Sequence, residues 1–255
     1  KGVRLAEAPT PYGPLWHNGE VFYGYGKPNF SEGDPAGGLI VNAGTVNLSG
    51  NNSFGSAPTV NSGSLNLFGT NSFVGDINVN ASLFASGTAA LGTAGNNITI
   101  SGGSLNIGAT GGTLTGRTVT LSGVGRVNIS GAGIGGAHFT GTGGLAVSAG
   151  VNLTDDSNNY SGSTAFNGAG GSTFSSIGNL GDASSLGAPN TVADGTIVIS
   201  NPSGTTGTRS VSYVGDGDVS NRNWSLTANG YRGVGLTNSG TGTLTLSGAI
   251  GVNKT

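Results

Sequence analysis

The chain contains no cysteine and no methionine, and only 8% of its 255 residues are charged. Without cysteine there are no disulfides, no thiol nucleophile and no thiolate metal site. Without methionine, Lys1 reads as the start of a processed or excised segment rather than a translation start, and no signal-peptide core is present. Nine scattered Lys and Arg and a net charge of −2 cannot replace the counterions of a nucleic acid, so no nucleic-acid partner is expected. No run of about 18 apolar residues exists, which excludes a transmembrane helix read from hydropathy. What the chain has instead is glycine, 52 in all, without the every-third-residue spacing of collagen.

The glycines punctuate a repeated phrase: a short apolar strand, a tight turn, then a second short strand with a polar residue between two aliphatics. It reads Ile40-Val41-Asn42-Ala43-Gly44-Thr45-Val46-Asn47-Leu48, and again from Thr59 to Leu67, Asn78 to Leu83, Thr99 to Ile107, Thr120 to Ile129 and Ala146 to Leu153. The aliphatic before each turn falls at 41, 60, 79, 100, 121 and 147, giving steps of 19, 19, 21, 21 and 26 residues. Such a period predicts stacked coils, each unable to bury its apolar face alone. A strand's period of two sends Val46 and Leu48 inward and Asn47 outward, and the same split recurs in the other copies. With coils about 4.8 Å apart, Asn47, Asn66, Asn106, Asn128 and Asn152 are expected to form an outer amide ladder, interrupted at Phe84. Asn52-Ser53-Phe54, Asn71-Ser72-Phe73 and Asn159-Tyr160-Ser161 suggest a third side to each coil.

The reading divides the chain into three parts. Residues 1–37 are rich in proline and aromatics, and form a cap over the first coil or a docking strip for another subunit; Tyr12, Trp16, Phe22, Tyr23, Tyr25 and Phe30 are the candidate contacts. Residues 38–154 carry the regular repeats. Residues 155–255 are read as a looser continuation of the same solenoid, with a separate sandwich domain as the alternative.

Catalytic residue types are thin. Between Pro35 and Thr154 the charged residues are Asp76, Arg117 and Arg126, with His138 the one histidine, so paired carboxylates for glycoside hydrolysis are not available there. Asp155-Asp156 is an adjacent acidic pair, but neighbours on a strand point to opposite faces, which favours a solvated loop over a metal site. The stretch Asp216-Gly217-Asp218-Val219-Ser220-Asn221 begins like a calcium loop, yet Asn221 and Thr227 stand where glycine and glutamate are required. His17 and His138 lack metal-ligand spacing. No metal, cofactor or catalytic residue is expected.

The phrases Val41-Asn42-Ala43-Gly44-Thr45-Val46-Asn47-Leu48-Ser49-Gly50, Asn158-Asn159-Tyr160-Ser161-Gly162-Ser163-Thr164 and Gly235-Leu236-Thr237-Asn238-Ser239-Gly240-Thr241-Gly242-Thr243-Leu244-Thr245-Leu246-Ser247-Gly248 resemble the autotransporter-associated β-strand repeats of large secreted or surface proteins of Gram-negative-type bacteria. The resemblance covers about residues 39 to 250 and implies an all-β, right-handed parallel β-helix outside the cell. The aromatic segment before it lies outside the repeat pattern. The function expected is a non-catalytic structural rod of a surface passenger, matrix or filament, joining end to end into a homo-oligomer through residues 1–37. Two alternatives stay open: a polysaccharide-active β-helix enzyme of lyase type, which the sparse charge disfavours, and an adhesin that binds surface glycans through a row of Tyr160, Tyr213, Trp224 and Tyr231.

Overall fold

In a computed structural model, residues 15–17, 20–25, 38–110, 112–123, 125–148, 150–167, 171–201, 208–228 and 233–254 are described, with 15–17, 20–25, 109–110 and 254 as backbone alone. The backbone is a parallel β-solenoid. Its spine is a twelve-stranded sheet in which Thr45–Leu48, Ser64–Leu67, Ser82–Gly87, Ser104–Thr110, Arg126–Ser130, Gly144–Val147, Thr164–Asn167, Ile197–Ser200, Trp224–Ala228 and Ile250–Lys254 stack in chain order, all parallel. The remaining two strands of the sheet are Leu15–His17 and Glu20–Tyr25. They pair antiparallel with each other, and Glu20–Tyr25 runs antiparallel to Thr45–Leu48 with Tyr23 opposite Asn47 and Tyr25 opposite Thr45.

A second sheet stacks Ile40–Val41, Thr59–Val60, Ile77–Val79, Ile98–Ile100, Thr118–Leu121 and His138–Gly141. Beyond residue 150 a four-stranded sheet of Asn152–Leu153, Ser172–Phe174, Arg209–Tyr213 and Val234–Asn238 is formed by the strands that follow each spine strand, and the pair Asp218–Ser220 and Leu244–Leu246 precedes the last two spine strands. The third side exists as a parallel bridge between Ser53 and Ser72, flanked by bonds from Phe54 N to Ser72 O at 2.8 Å and from Ser72 N to Asn52 O at 2.7 Å. In later coils that side is a short 3-10 turn, Thr88–Leu91 or Ala132–Ile134. Asn159-Tyr160-Ser161 is not its third copy. Asn159 N and Ser161 N donate to the carbonyls of Phe139 and Gly141, so this triplet continues the second sheet.

The alternation read from the sequence becomes the interior. Val46, Leu48, Leu65, Leu67, Leu83, Leu105, Ile107, Val127 and Ile129 are all buried, with their neighbours in between partly or fully exposed. Each aliphatic sits over its counterpart one coil away, so apolar area is removed from water along the whole axis. After residue 150 the coils widen and aromatics replace aliphatics. Phe174 lies 6.3 Å from Phe166, 5.6 Å from Tyr213 and 6.1 Å from Trp224 between ring centroids, and Phe139 meets Tyr160 edge-on at 6.4 Å. A wider lumen needs larger side chains to reach native packing density.

Turn glycines answer two demands at once. Gly63 and Gly103 have φ of 81° and 70°, which only glycine adopts freely, and a Cβ on either would come within 2.0 Å of Gly44 O or 1.8 Å of Ala81 O on the preceding coil. At these turns the preceding coil leaves no room for a side chain.

Candidate functional site

Polar side chains on this solenoid are mostly engaged from coil to coil. Of the five asparagines expected to form one ladder, the structure joins Asn47 and Asn66, whose Nδ2 donates to Asn47 Oδ1 at 2.6 Å. Asn106 is in register with Phe84 on one side and Ser130 on the other. Asn128 lies opposite Ser104 and Ala146, because the longer turn through Ser122 and Gly125 slides its strand by two residues and preserves the inward parity. Asn152 belongs to a different sheet, where Thr173 Oγ1 donates to it at 3.0 Å. The sixth copy lies one strand out of phase with the other five: Val147 stacks on Ile129 in the spine, and the row of Val41, Val60, Val79, Ile100 and Leu121 continues to Gly141.

A longer run stands on the turn beside it. Asn61 donates to Asn42 at 2.7 Å, Asn80 to Asn61 at 3.5 Å, and Ser101 to Asn80 at 2.8 Å. Its signal was present, since the residue after each first-strand aliphatic is Asn, Asn, Asn, Ser and Ser at 42, 61, 80, 101 and 122. Corner asparagines are buried and bonded to backbone. Asn71 Nδ2 donates to Ala90 O at 2.8 Å; Asn96 Nδ2 donates to Phe73 O at 3.0 Å while its Oδ1 accepts from Gly75 N at 3.0 Å; Asn158 Oδ1 accepts from Phe139 N at 2.6 Å. These amides substitute for a strand where the chain bends.

His138 and Asp155, seventeen residues apart, meet at 2.9 Å between Nδ1 and Oδ2. Ser157 Oγ donates to Asp155 Oδ1 at 2.5 Å and lies 3.3 Å from the same His138 Nδ1. Burial pushes the Asp155 carboxyl up, but the bonds from Ser157 and the His138 partner outweigh it and hold the group below its usual value. The trio is not a nucleophilic triad. Both partners face one imidazole nitrogen, and the serine hydroxyl gives its proton to the carboxylate rather than to a base on the opposite side of the ring. Asp156 points elsewhere, accepting from Ser175 Oγ and Ser176 Oγ at 2.6 Å each.

The stretch that begins like a calcium loop clasps an insert. Between Phe174 and Ile197 the chain leaves the coil path, and residues 218–222 of the next coil bind it back. Asp218 Oδ2 accepts from Ile177 N at 2.7 Å and Gly178 N at 3.2 Å, Ser220 Oγ donates to Gly178 O at 2.6 Å, and Asn221 Oδ1 accepts from Leu180 N at 2.9 Å. Asp218 thus spends its lone pairs on backbone N–H groups. Arg222, fully buried, donates from Nε to Gly195 O at 2.9 Å and from Nη1 to Leu186 O at 2.9 Å and Ile177 O at 3.2 Å. Arg117 is a smaller version, buried, its guanidinium on Asn96 O and Gly92 O. Neither strut follows from a local motif; the available signal is a cation in a sparsely charged chain.

Three of the four aromatics considered for glycan stacking are interior. Tyr160 and Tyr213 are fully buried and Trp224 is 2% exposed, while Tyr231 lies outside the described residues. Burial pushes the Tyr160 hydroxyl up to about 12, and its oxygen meets Thr164 Oγ1 at 2.6 Å. The wide lumen needed their bulk, so the exposed row does not form. Of the N-terminal contact candidates, Tyr12 and Phe30 lie outside the described residues, and Trp16, Phe22, Tyr23 and Tyr25 are placed only as backbone in the hairpin. Among the described residues no group of three or more acidic or histidine side chains could hold a metal, and no helix is long and apolar enough to cross a membrane.

Comparison with known proteins adds a relative. The chain is 46% identical over 182 residues to the adhesin BmaC autotransporter of Brucella suis biovar 1 (strain 1330). This chain is related to the autotransporter passengers. The match takes in 71% of the chain and 5% of the length of the Brucella adhesin, so it compares a run of passenger coils with a small part of a far larger protein. With the stacked-coil fold, it places the chain among secreted or cell-surface passenger segments. No family model matches the chain, and no solved structure matches it.

Proposed function

We propose that this passenger segment is a rigid, non-catalytic rod of a surface adhesin, whose work is to hold a shape and extend it. The observation that carries this reading is the fate of its polar side chains: the amides, hydroxyls and few charges that could do chemistry are bonded to neighbouring coils or to turn backbone. Enzymes built on coils need free acids, bases or metal ligands gathered on one face. The relative's description as an adhesin supports the same reading.

Association through the solenoid ends is part of the proposal. At one end the hairpin of residues 15–25 lies antiparallel on the first spine strand, and residues 1–37 act as cap or docking strip there. Sedimentation and electron microscopy of the chain with and without residues 1–30 test this. End-to-end rods that shorten or disappear on deletion are expected; unchanged association removes the N-terminal segment from the contact. Release of unsaturated sugars from acidic polysaccharides would replace the whole reading with a lyase.

A further inference from the structure

We propose that the solenoid interior holds a monatomic anion, chloride in ordinary buffers, seated on the Nη2 of Arg222. The guanidinium is completely buried, and its known partners are three backbone carbonyls taken by Nε and Nη1. Nη2, with two N–H donors, has none among the described residues. No carboxylate hydrogen-bonds this group among the described residues, so its charge sits in the lumen neutralised only by carbonyl dipoles. Burial lowers the Arg222 pKa to about 10, which leaves the group cationic at neutral pH.

A second observation concerns the sign of the deficit. The buried side-chain polar atoms left without a partner among the described residues are Arg209 Nε, Arg222 Nη2 and Trp224 Nε1. All three are N–H donors. What the Arg222 site lacks is an acceptor, together with negative charge. A buried cation is costly unless paired and hydrogen-bonded, and an unmade buried hydrogen bond costs in its own right. A water accepts at Nη2 but brings two further donors into an acceptor-poor place, whereas a halide accepts from several N–H groups and supplies the missing charge. Because Arg222 clasps the insert through Ile177, Leu186 and Gly195, the ion would lock together two coils and the loop between them.

The test uses the whole chain. Crystals grown or soaked in bromide should show an anomalous peak within hydrogen-bond reach of Nη2. The chain refolded in chloride should melt about 2–4 °C above the chain refolded in gluconate at the same ionic strength, the size expected for a ligand that binds only the folded state. Arg222→Lys and Arg222→Met should abolish that difference. Electron density for a water without anomalous signal, or a melting temperature indifferent to halide in the unmodified chain, overturns the proposal. The bromide experiment needs no variant, so a variant that fails to fold leaves the proposal decidable.

Discussion

At the scale of the residue, backbone geometry outweighs chemistry. Gly103 combines a φ of 70° with a neighbouring coil's carbonyl 1.8 Å from where a Cβ would stand. Gly125 has a φ of 100° but no atom within 4 Å of that place. Gly103→Ala is therefore expected to cost more than about 2 kcal/mol, since strain and a backbone clash add, and Gly125→Ala about 1 kcal/mol from conformation alone. Thermal melts of the two variants separate the contributions, and equal losses would show that coil approach plays no part. Asp155 offers a pH-dependent counterpart. Its folded pKa lies below the unfolded one, so its contribution is present above about pH 4 and is lost as pH falls through the folded value. Asp155→Asn should lower stability by at most about 1 kcal/mol at pH 7, because the pair is partly exposed, and the melts of variant and parent should converge on acidification.

At the scale of the element, the insert between Phe174 and Ile197 is held by its neighbour rather than by its own secondary structure. Its one helix, Val192–Gly195, has four residues, so propensity contributes little. Removing the Asp218 carboxylate leaves the N–H groups of Ile177 and Gly178 without their acceptor, and Ile177 is fully buried. Asp218→Ala should cost about 1.5–3 kcal/mol and speed proteolysis at the exposed tip Gly181-Asp182-Ala183, with cleavage elsewhere unchanged. Digestion followed by mass spectrometry reads the site directly. The segment that holds the insert was recognisable in sequence as a failed calcium loop. Its real partners are 40 residues earlier in the chain, beyond any local motif.

At the scale of the molecule, a solenoid's coils contact chiefly their nearest neighbours. The hairpin runs antiparallel on Thr45–Leu48, whereas the spine strands from Thr45–Leu48 onward are parallel to one another. Heterologous contacts between unlike ends build open rods. Deleting residues 1–30 should thus reduce end-to-end association in sedimentation while the circular dichroism of the coils stays near that of the parent.

The period, the inward aliphatics and the turn glycines were legible in the sequence because each rests on local rules: a strand alternates every residue, and positive φ selects glycine. Stacking in parallel follows from repetition itself. Which copies share a row was not legible. Val147 follows the same strand–turn grammar as Val41, so nothing local separates the first strand of a coil from the second, and Asn128 and Asn152 left the expected ladder through turn length and change of sheet. The pairing of His138 with Asp155, the clasp on the insert and the burial of Tyr160, Tyr213, Trp224 and Arg222 were decided only in three dimensions. The physical reason is that a coil brings together residues about twenty or more positions apart, and the width of each coil, set by its loops, determines which of them meet.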